Sequence, residues 1–329
     1  MIITQTPLRI GLVGGGTDLP DFYRRHGGRV LNCAIDKYVY VVVKERFDDD
    51  IYVNYSKKEI VGKVDEIQHD LVREAMVMAG VERAVELTVL ADIPSAGSGL
   101  GSSSSLTVGL VQALFAYRGR SLPASELAER ACAIEIERCG KHIGKQDQYV
   151  AAFGGVRDLR FGPGECVVAD EVALPLDDLR ALQAQLLLFY TGITRSADVI
   201  LSEQRANIDD TLEHLTLLRS LAGEAVDGLR SGSVSTLGPA VRRSWEVKRQ
   251  LASGVSNAVI DSAIAAALDA GAVGAKVTGA GGGGFLLVVA PMEHQATVRE
   301  HLSHMRELPI KIDRFGSRVV LNVARDIWS

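Results

Sequence analysis

The chain has 329 residues, 47% of them hydrophobic, a formal net charge of −5 and a pI of about 5.9. Its size and apolar content predict a substantial core, organised as two domains or as one large domain. The acidic balance argues against a nucleic-acid-binding protein, because such a protein usually presents a basic face.

Three features of the sequence bear on its location. It has no apolar run long enough to span a bilayer, and its first residues lack the basic and apolar regions of a secretory signal. The cysteines lack the Cys-x-x-Cys spacing of zinc and redox sites; they are Cys33, Cys132, Cys139 and Cys166. We therefore expect a cytoplasmic protein with reduced thiols and no membrane partner.

The first half of the chain alternates between strand-like and helix-like segments. Residues 2–13 predict a strand in which Pro7 marks an edge or a bulge. The β-branched and aromatic runs 30–34 and 38–44 predict a hairpin around Asp36 and Lys37. We expect further strands over 51–55, 86–93, 156–161 and 166–172, and helices over 67–78, 106–117 and 124–138.

Beyond an apolar strand predicted over 186–190, the pattern becomes more helical. We expect helices over 196–228, 234–251, 260–270 and 296–304, and strands over 275–278, 285–290, 310–315 and 318–323. This order lacks regular βαβ alternation, so we expect an α+β protein with a domain boundary near residue 180.

A glycine-serine stretch over 94–106 lies between a predicted strand and a predicted helix. Gly97, Gly99 and Gly101 permit positive φ angles and close approach of a ligand to the backbone. The following helix would add unpaired N–H groups and the positive end of its dipole, a typical phosphate site. A flexible linker is the alternative. The stretch is not a Walker A loop, because no lysine follows the glycines.

Two more glycine-rich turns occur at 11–16 and 279–284. The second lies between predicted strands, where consecutive glycines are destabilising unless the backbone approaches a phosphate or the other glycine loop. A sharp β corner or bulge is the alternative. Arg9 and Asp18 flank the first turn and could contact a phosphate and sugar hydroxyls.

Acidic residues near a fourth turn, at 140–144, suggest phosphoryl transfer. Glu135 and Glu137 lie on a predicted helix, and Asp147 follows a turn that contains Gly140 and Gly144. Phosphoryl transfer requires a held nucleotide, Mg²⁺ and a carboxylate beside the acceptor hydroxyl. The alternatives are a solvated helix face for Glu137 and a helix cap for Asp147.

Together these motifs resemble the GHMP kinase superfamily. The similarity is carried by residues 7–18, 94–105 and 276–285, which match its three motifs in order and span nearly the whole chain. Within the superfamily, segments 14–20, 144–148 and 191–196 look most like D-glycero-D-manno-heptose 7-phosphate kinases.

The resemblance implies a GHMP kinase fold with ATP between two domains. These would be a ribosomal-protein-like α/β domain over 1–180 and a ferredoxin-like domain over 181–329. Asp147 would be the catalytic base, and Arg9 would position the acceptor oxygen. Mg²⁺ would bind Ser103 and Glu137, with Glu135 as the alternative to Glu137. The implied ATP-binding residues are Pro94, Gly97, Ser98, Gly99, Leu100, Gly101, Ser102, Ser103 and Ser104.

The implied substrate is a small-molecule sugar phosphate. Its expected contacts are Gly15, Gly16, Thr17, Asp18, Lys145, Arg195, Gly281 and Gly282. Arg195 ranks first among the basic candidates for the substrate phosphate because arginine can bind phosphate in a bidentate manner. Galactokinases carry Glu-His where this chain has Gly15 and Gly16, which argues against galactose.

We therefore expect an ATP- and Mg²⁺-dependent sugar 1-kinase acting on the anomeric hydroxyl of heptose 7-phosphate, for nucleotide-heptose and surface polysaccharide synthesis. The alternatives are a kinase for fucose or a related hexose, a mevalonate-pathway enzyme, and a catalytically silent GHMP-fold binding protein. The sequence leaves the choice between monomer and homo-oligomer open.

Overall fold

A computed structural model describes residues 1–94, 97–194 and 197–323. The strands are β1 (Ile2–Val13), β2 (Gly28–Glu45), β3 (Ile51–Asn54), β4 (Lys58–Val61), β5 (Val85–Ala91), β6 (Val156–Phe161), β7 (Val167–Glu171), β8 (Leu186–Tyr190), β9 (Gly274–Val277), β10 (Phe285–Val289), β11 (Arg306–Glu307) and β12 (Arg318–Asn322). The helices are α1 (Pro20–His26), α2 (Asp70–Ala79), α3 (Ser102–Tyr117), α4 (Ala124–Cys132), α5 (Gln146–Phe153), α6 (Leu176–Ala184), α7 (Ala197–Ala206), α8 (Leu212–Arg230), α9 (Leu237–Lys248), α10 (Ala258–Asp269) and α11 (Gln295–His301).

Eight strands form one sheet: six follow the order β12-β1-β2-β5-β3-β4, β6 pairs with β2, and β7 pairs with β6. The predicted hairpin around Asp36 is wrong, because β2 runs through it as a single strand of 18 residues. The Asp36 N–H donates to the Lys311 carbonyl, and the Asp36 carboxylate accepts from the Lys311 N–H. These bonds replace the turn. A shift of register between Pro7 and Leu8 lets β1 follow β2 past this point.

The segment around Lys311 also departs from the prediction. Residues 310–315 do not form a strand within the described part of the chain; they contribute an isolated bridge between Ile35 and Ile312. The long helix predicted over 196–228 is two helices, α7 and α8, separated by a turn. The helix predicted over 124–138 is α4 followed by a π-helical turn, Ala133–Arg138.

The second sheet has four antiparallel strands in the order β11-β8-β10-β9. One apolar core joins it to the first sheet: Leu8 and Leu12 of β1 lie in the same buried cluster as Leu188 of β8 and Leu287 of β10. The large sheet packs a separate core against α2 to α5. The joint core holds the second half of β1 close to the second sheet, near the site described below.

Strand β12 pairs with β1, so the 318–322 segment completes the first sheet. The domain boundary near residue 180 stays a prediction. Within the residues that the structure describes, no helix is long and apolar enough to cross a membrane.

Candidate active site

A cleft of about 610 Å³ lies where the first glycine turn, the glycine-serine loop and the second sheet meet. It brings together residues that are far apart in the sequence. Its lining includes Arg9, Asp18, Ser103, Glu135, Asp147, Lys248 and Lys276.

The glycine-serine loop forms one wall of the cleft. Helix α3 begins at Ser102, directly after Gly101 with φ 76°. Gly97 and Gly99 also have positive φ, as predicted. Since the first N–H groups of a helix have no partner within it, this end offers several donors and a partial positive charge to an anion. The predicted nucleotide residues that line the cleft are Gly97, Ser98, Gly99, Gly101, Ser102, Ser103 and Ser104.

The two other predicted nucleotide residues do not line it. The side chain of Leu100 is fully buried in the joint core, and its carbonyl accepts from the backbone N–H of Arg9 at 3.0 Å. Pro94 is exposed and outside the lining. Leu100 therefore anchors the loop in two ways. Its apolar side chain is favoured inside the core, and its backbone carbonyl bonds to β1.

The third glycine motif packs directly against this loop. A Cβ atom at Gly99 would lie 2.8 Å from the Thr278 carbonyl oxygen, and one at Gly284 would lie 2.5 Å from the Ser98 carbonyl oxygen. The predicted close approach of the two glycine loops is confirmed. Gly279 and Ala280 line the cleft, whereas the predicted substrate residues Gly281 and Gly282 pack against Val255 and do not.

Arg9 and Asp147 form a bidentate ion pair in the cleft. The Arg9 guanidinium donates from Nε to Asp147 Oδ1 at 2.6 Å and from Nη2 to Oδ2 at 2.5 Å. Its Nη1 donates to the Gly99 carbonyl at 2.7 Å, so the same side chain fixes the carboxylate and the glycine-serine loop. Arg9 lies on β1, and Asp147 is in the first turn of α5.

Asp18 is buried beside this pair. Its carboxylate accepts from the N–H groups of Gly16 at 3.2 Å and Gln146 at 3.3 Å. Burial, and then the nearby charge of Asp147, raise the pKa of Asp18 above its usual value. A Cβ atom at Gly144 would lie 1.9 Å from Asp18 Oδ2, so only glycine fits there.

The residues around Asp18 divide into two groups. Gly15 and Gly16 line the cleft, as predicted. Thr17 does not: it is buried, and its hydroxyl donates to the backbone carbonyls of Gly14 and Arg29. Its observed contacts are structural, in contrast to the predicted substrate contact.

The two glutamates considered as metal ligands differ in burial and in position relative to the cleft. Glu137, the predicted metal ligand, is exposed and outside the cleft lining, so the structure does not bring it together with Ser103 in the cleft. Glu135 is fully buried; its Oε1 accepts from the Ser103 hydroxyl at 2.7 Å and its Oε2 from Gln148 at 2.6 Å. Glu135 continues the buried face of α4 four residues after Ala131, and this periodicity was the signal available in the sequence.

Ser103 and Glu135 fit the requirements of Mg²⁺. Both supply oxygen ligands beside the glycine-serine loop, and Mg²⁺ usually takes one or two such ligands and completes its shell with phosphate oxygens and water. Lys141 Nζ lies 3.0 Å from the Ser103 hydroxyl and 3.5 Å from Glu135. Ser103 and Glu135 are the residues that would hold the metal, with the positive charge of Lys141 beside them.

The basic residues differ most from the sequence expectation. Lys145 forms an ion pair with Glu165 and does not line the cleft, and Arg195 lies outside the described residues. Lys248 and Lys276 line it instead. Lys276 opens the third glycine motif, but Lys248 carries no local signal because it is brought in by the packing of α9 against β9.

Both lysines are held by backbone carbonyls. Lys248 Nζ donates to Gly279 at 2.6 Å; Lys276 Nζ donates to Gly11 at 3.0 Å and Leu12 at 3.2 Å. Burial lowers the pKa of Lys248 to about 8, against the opposing attraction of Asp18. Burial, together with the positive charge of Lys248, lowers the pKa of Lys276 well below its usual value.

Phosphoryl transfer requires an anion-binding site, oxygen ligands for a metal and a positioned carboxylate, and the residues of this cleft fit those requirements. The sequence matches the family models for the GHMP kinases N terminal domain over residues 65–155 and for the GHMP kinases C terminal over residues 225–307.

Individual relatives agree with these models. The chain is 33% identical to the D-glycero-alpha-D-manno-heptose 7-phosphate kinase of Campylobacter jejuni, over 87% of this chain and 88% of that protein. It is 31% identical to the L-fucokinase/L-fucose-1-P guanylyltransferase of Bacteroides fragilis, over 90% of this chain but only 35% of that longer protein.

The fold of a solved structure agrees as well. The crystal structure of a D-glycero-D-manno-heptose 1-phosphate kinase from Bacteroides thetaiotaomicron superposes with a TM-score of 0.82, over 98% of this chain and 100% of that one, at 23% identity. The chain belongs to the GHMP kinase family, and the predicted α+β GHMP kinase fold is confirmed. It is a phosphotransferase with an alcohol group as acceptor, a sugar kinase.

Proposed function

We propose that this sugar kinase transfers the γ-phosphoryl group of ATP to the anomeric hydroxyl of D-glycero-D-manno-heptose 7-phosphate, with Mg²⁺ as cofactor. The observation that supports this chemistry is the bidentate Arg9–Asp147 pair beside the glycine-serine loop. The choice of acceptor is supported by the 33% identity to the heptose 7-phosphate kinase of Campylobacter jejuni. The product would feed nucleotide-heptose synthesis for surface polysaccharide.

In this proposal Asp147 is the base. Its carboxylate accepts the proton of the acceptor hydroxyl as that oxygen bonds to the γ-phosphorus, and the bond from phosphorus to the β,γ-bridging oxygen breaks to release ADP. Arg9 keeps the Asp147 carboxylate oriented between the acceptor and the glycine-serine loop. Mg²⁺ held by Ser103 and Glu135 would neutralise the phosphate charge.

Two lysines would complete the site. Lys141 lies beside Ser103 and Glu135, where it would face the nucleotide phosphates. Lys248 lies on the acceptor side, since a Cβ atom at Gly15 would be 3.3 Å from its Nζ. We assign to Lys248 the stabilisation of negative charge on the acceptor side of the cleft. Arg195 remains the candidate for the distal phosphate of the substrate on sequence grounds.

The test is coupled ATP turnover with D-glycero-D-manno-heptose 7-phosphate, the same heptose without phosphate, fucose, galactose and mevalonate. We expect turnover to require the phosphorylated heptose. The Asp147→Asn variant, purified in parallel, controls for contaminating kinases. Turnover with fucose alone would replace the proposed acceptor and retain the mechanism; mevalonate turnover alone would overturn the sugar assignment. No turnover with any acceptor would overturn the proposal.

A further inference from the structure

One buried amide in the cleft takes no part in the chemistry described so far. The Gln204 side chain, on α7, is 3% exposed and lines the cleft. Neither its Oε1 nor its Nε2 has a hydrogen-bond partner among the residues that the structure describes. A buried amide without partners is costly and uncommon in a folded protein, so its persistence requires an explanation.

The described residues around Gln204 offer its amide no hydrogen-bond partner. A Cβ atom at Gly16 would lie 3.8 Å from Gln204 Oε1, 3.3 Å from Leu251 and 3.6 Å from Leu215. Leu215 and Leu251 belong to a buried apolar cluster with Phe22. An apolar side chain would suit this environment better than an amide, so stability of the fold does not account for glutamine here.

Helix α7 presents one face to the cleft. The lining residues on it are Ala197, Asp198, Leu201 and Gln204, at the spacing of a single helix face. Next to Gln204, Arg205 donates from Nε to Asp21 at 2.6 Å and contacts His142 Nδ1 at 2.5 Å. These contacts hold α7 against α1 and the loop before α5, and so fix the position of the amide.

A chain of contacts relates the amide to the reacting centre. The Asp147 charge acts on Asp18, Asp18 accepts from the Gly16 N–H, and Gln204 lies beside Gly16. Counted along these contacts from Asp147, Gln204 comes after Asp18 and Gly16. An acceptor whose reacting oxygen lies at Asp147 and whose body passes Asp18 would bring a remote hydroxyl to the amide.

We propose that Gln204 is a specificity-determining residue whose side-chain amide binds a hydroxyl of the sugar acceptor remote from the reacting oxygen. An amide offers both a donor and an acceptor, and a hydroxyl satisfies both; a phosphate would leave Oε1 unpaired. This assignment rests on the proposed function, because it requires a sugar in the cleft. The glycines at 15 and 16 leave the space through which such a sugar would reach α7.

The experiment compares Gln204→Leu with Ser202→Ala, an exposed residue of the same helix outside the cleft lining. For Gln204→Leu we expect the KM for the sugar to rise about 10- to 100-fold, as the loss of hydrogen bonds to a substrate predicts. The KM for ATP should stay within about twofold. The thermal unfolding midpoint should be unchanged or higher, because an unpaired buried amide is removed. Ser202→Ala should match the parent throughout.

A deoxy-sugar series identifies the contact. With the analogue that lacks the contacted hydroxyl, kcat/KM should be equal for the parent and Gln204→Leu. If Gln204→Leu fails to fold, Gln204→Glu, which keeps the shape but cannot donate when ionised, should raise the same KM.

The outcomes separate this proposal from the proposed function. An active parent enzyme with an unchanged sugar KM in the variants overturns the role of Gln204 alone, as does a general loss of stability and of affinity for both substrates. Activity on a different sugar leaves the same expectation to be met with that sugar. A parent enzyme that phosphorylates no sugar overturns both proposals.

Discussion

The Arg9 guanidinium holds both carboxylate oxygens of Asp147 in the free enzyme, and the Asp147 charge raises the pKa of the buried Asp18. The side chain is thus held by contacts that do not depend on substrate. A substitution that keeps the shape of the Asp147 side chain should leave the glycine-serine loop in place, because the Arg9 Nη1 bond to Gly99 does not involve Asp147.

The first prediction concerns the base. Asp147→Asn should lower kcat about 10²- to 10⁴-fold, the usual contribution of a general base. The dissociation constant of ATP, measured by calorimetry, should change by less than about threefold because the loop contacts survive. Parent-like turnover in the variant would remove Asp147 from the role of base.

The second prediction separates the two glutamates. Glu135→Gln should raise the Mg²⁺ concentration needed for half-maximal turnover by about tenfold or more, because it removes a carboxylate charge beside Ser103. Glu137→Gln changes the same functional group on an exposed side chain and should leave the Mg²⁺ requirement unchanged. A stronger effect at Glu137 would contradict the assignment.

The third prediction concerns pH. Burial holds the pKa of Lys248 at about 8, so the amine is charged below that pH and neutral above it. The kcat/KM for the acceptor should fall as pH rises through about 8, and Lys248→Met should be less active at pH 7 without this fall.

The free energy of unfolding should respond to the Lys248 titration in the opposite direction to kcat/KM: it should rise with pH. Between pH 8 and the ordinary lysine pKa of about 10.4, the unfolded chain binds more protons than the folded one. Its contribution therefore raises the free energy of unfolding across that window, which urea denaturation of the parent and Lys248→Met would detect. Identical pH profiles for the two proteins would refute this titration.

At the scale of elements, the docking of the two glycine loops is the most demanding contact of the site. The fourth prediction compares two glycines with similar backbone angles, Gly99 (φ 70°) and Gly119 (φ 72°). A methyl group at Gly99 would clash with the Thr278 carbonyl, whereas Gly119 has open space.

Both Gly→Ala variants carry the backbone strain of a left-handed residue, about 1 kcal/mol. Gly99→Ala should in addition separate the loops and weaken ATP binding by about tenfold or more; Gly119→Ala should bind ATP as the parent does. Nucleotide titration by fluorescence or calorimetry measures this, and equal affinities would show that the loops tolerate separation.

The elements also show what the sequence could predict. Strand β5, the glycine-serine loop and α3 followed from local patterns, since apolar periodicity and positive-φ glycines act over a few residues. The hairpin predicted at Asp36 was wrong because the N–H and the carboxylate of Asp36 bond to the backbone of Lys311, a partner that no local pattern indicates.

The same distinction applies to the site. Arg9, Asp18 and Asp147 stood beside recognisable turns, and the structure brings them together. Lys248 and Gln204 enter the cleft from helices that fold over it, so their roles depend on packing between distant segments. Their sequence neighbourhoods read as ordinary amphipathic helix.

For the whole molecule, Lys276 links the two sheets: it lies on β9, and its amine donates to the β1 carbonyls of Gly11 and Leu12. The fifth prediction is that Lys276→Met lowers the free energy of unfolding by about 1–3 kcal/mol, because it removes the donor from two carbonyls in a buried setting. Lys57→Met, at an exposed turn, should change it by less than about 0.5 kcal/mol. Equal midpoints and slopes in urea would show that the link does not contribute.

The pairing of β12 with β1 has a consequence for biosynthesis. The α-ammonium group of Met1 donates to the carbonyl of Val323, 322 positions further along the chain. The strand that carries Arg9 therefore leaves the ribosome long before its outer neighbour exists, and its free edge can pair with other chains meanwhile. Such distant pairing slows folding. We expect nascent chains to depend on protection of this edge, and fragments that end before β12 to aggregate.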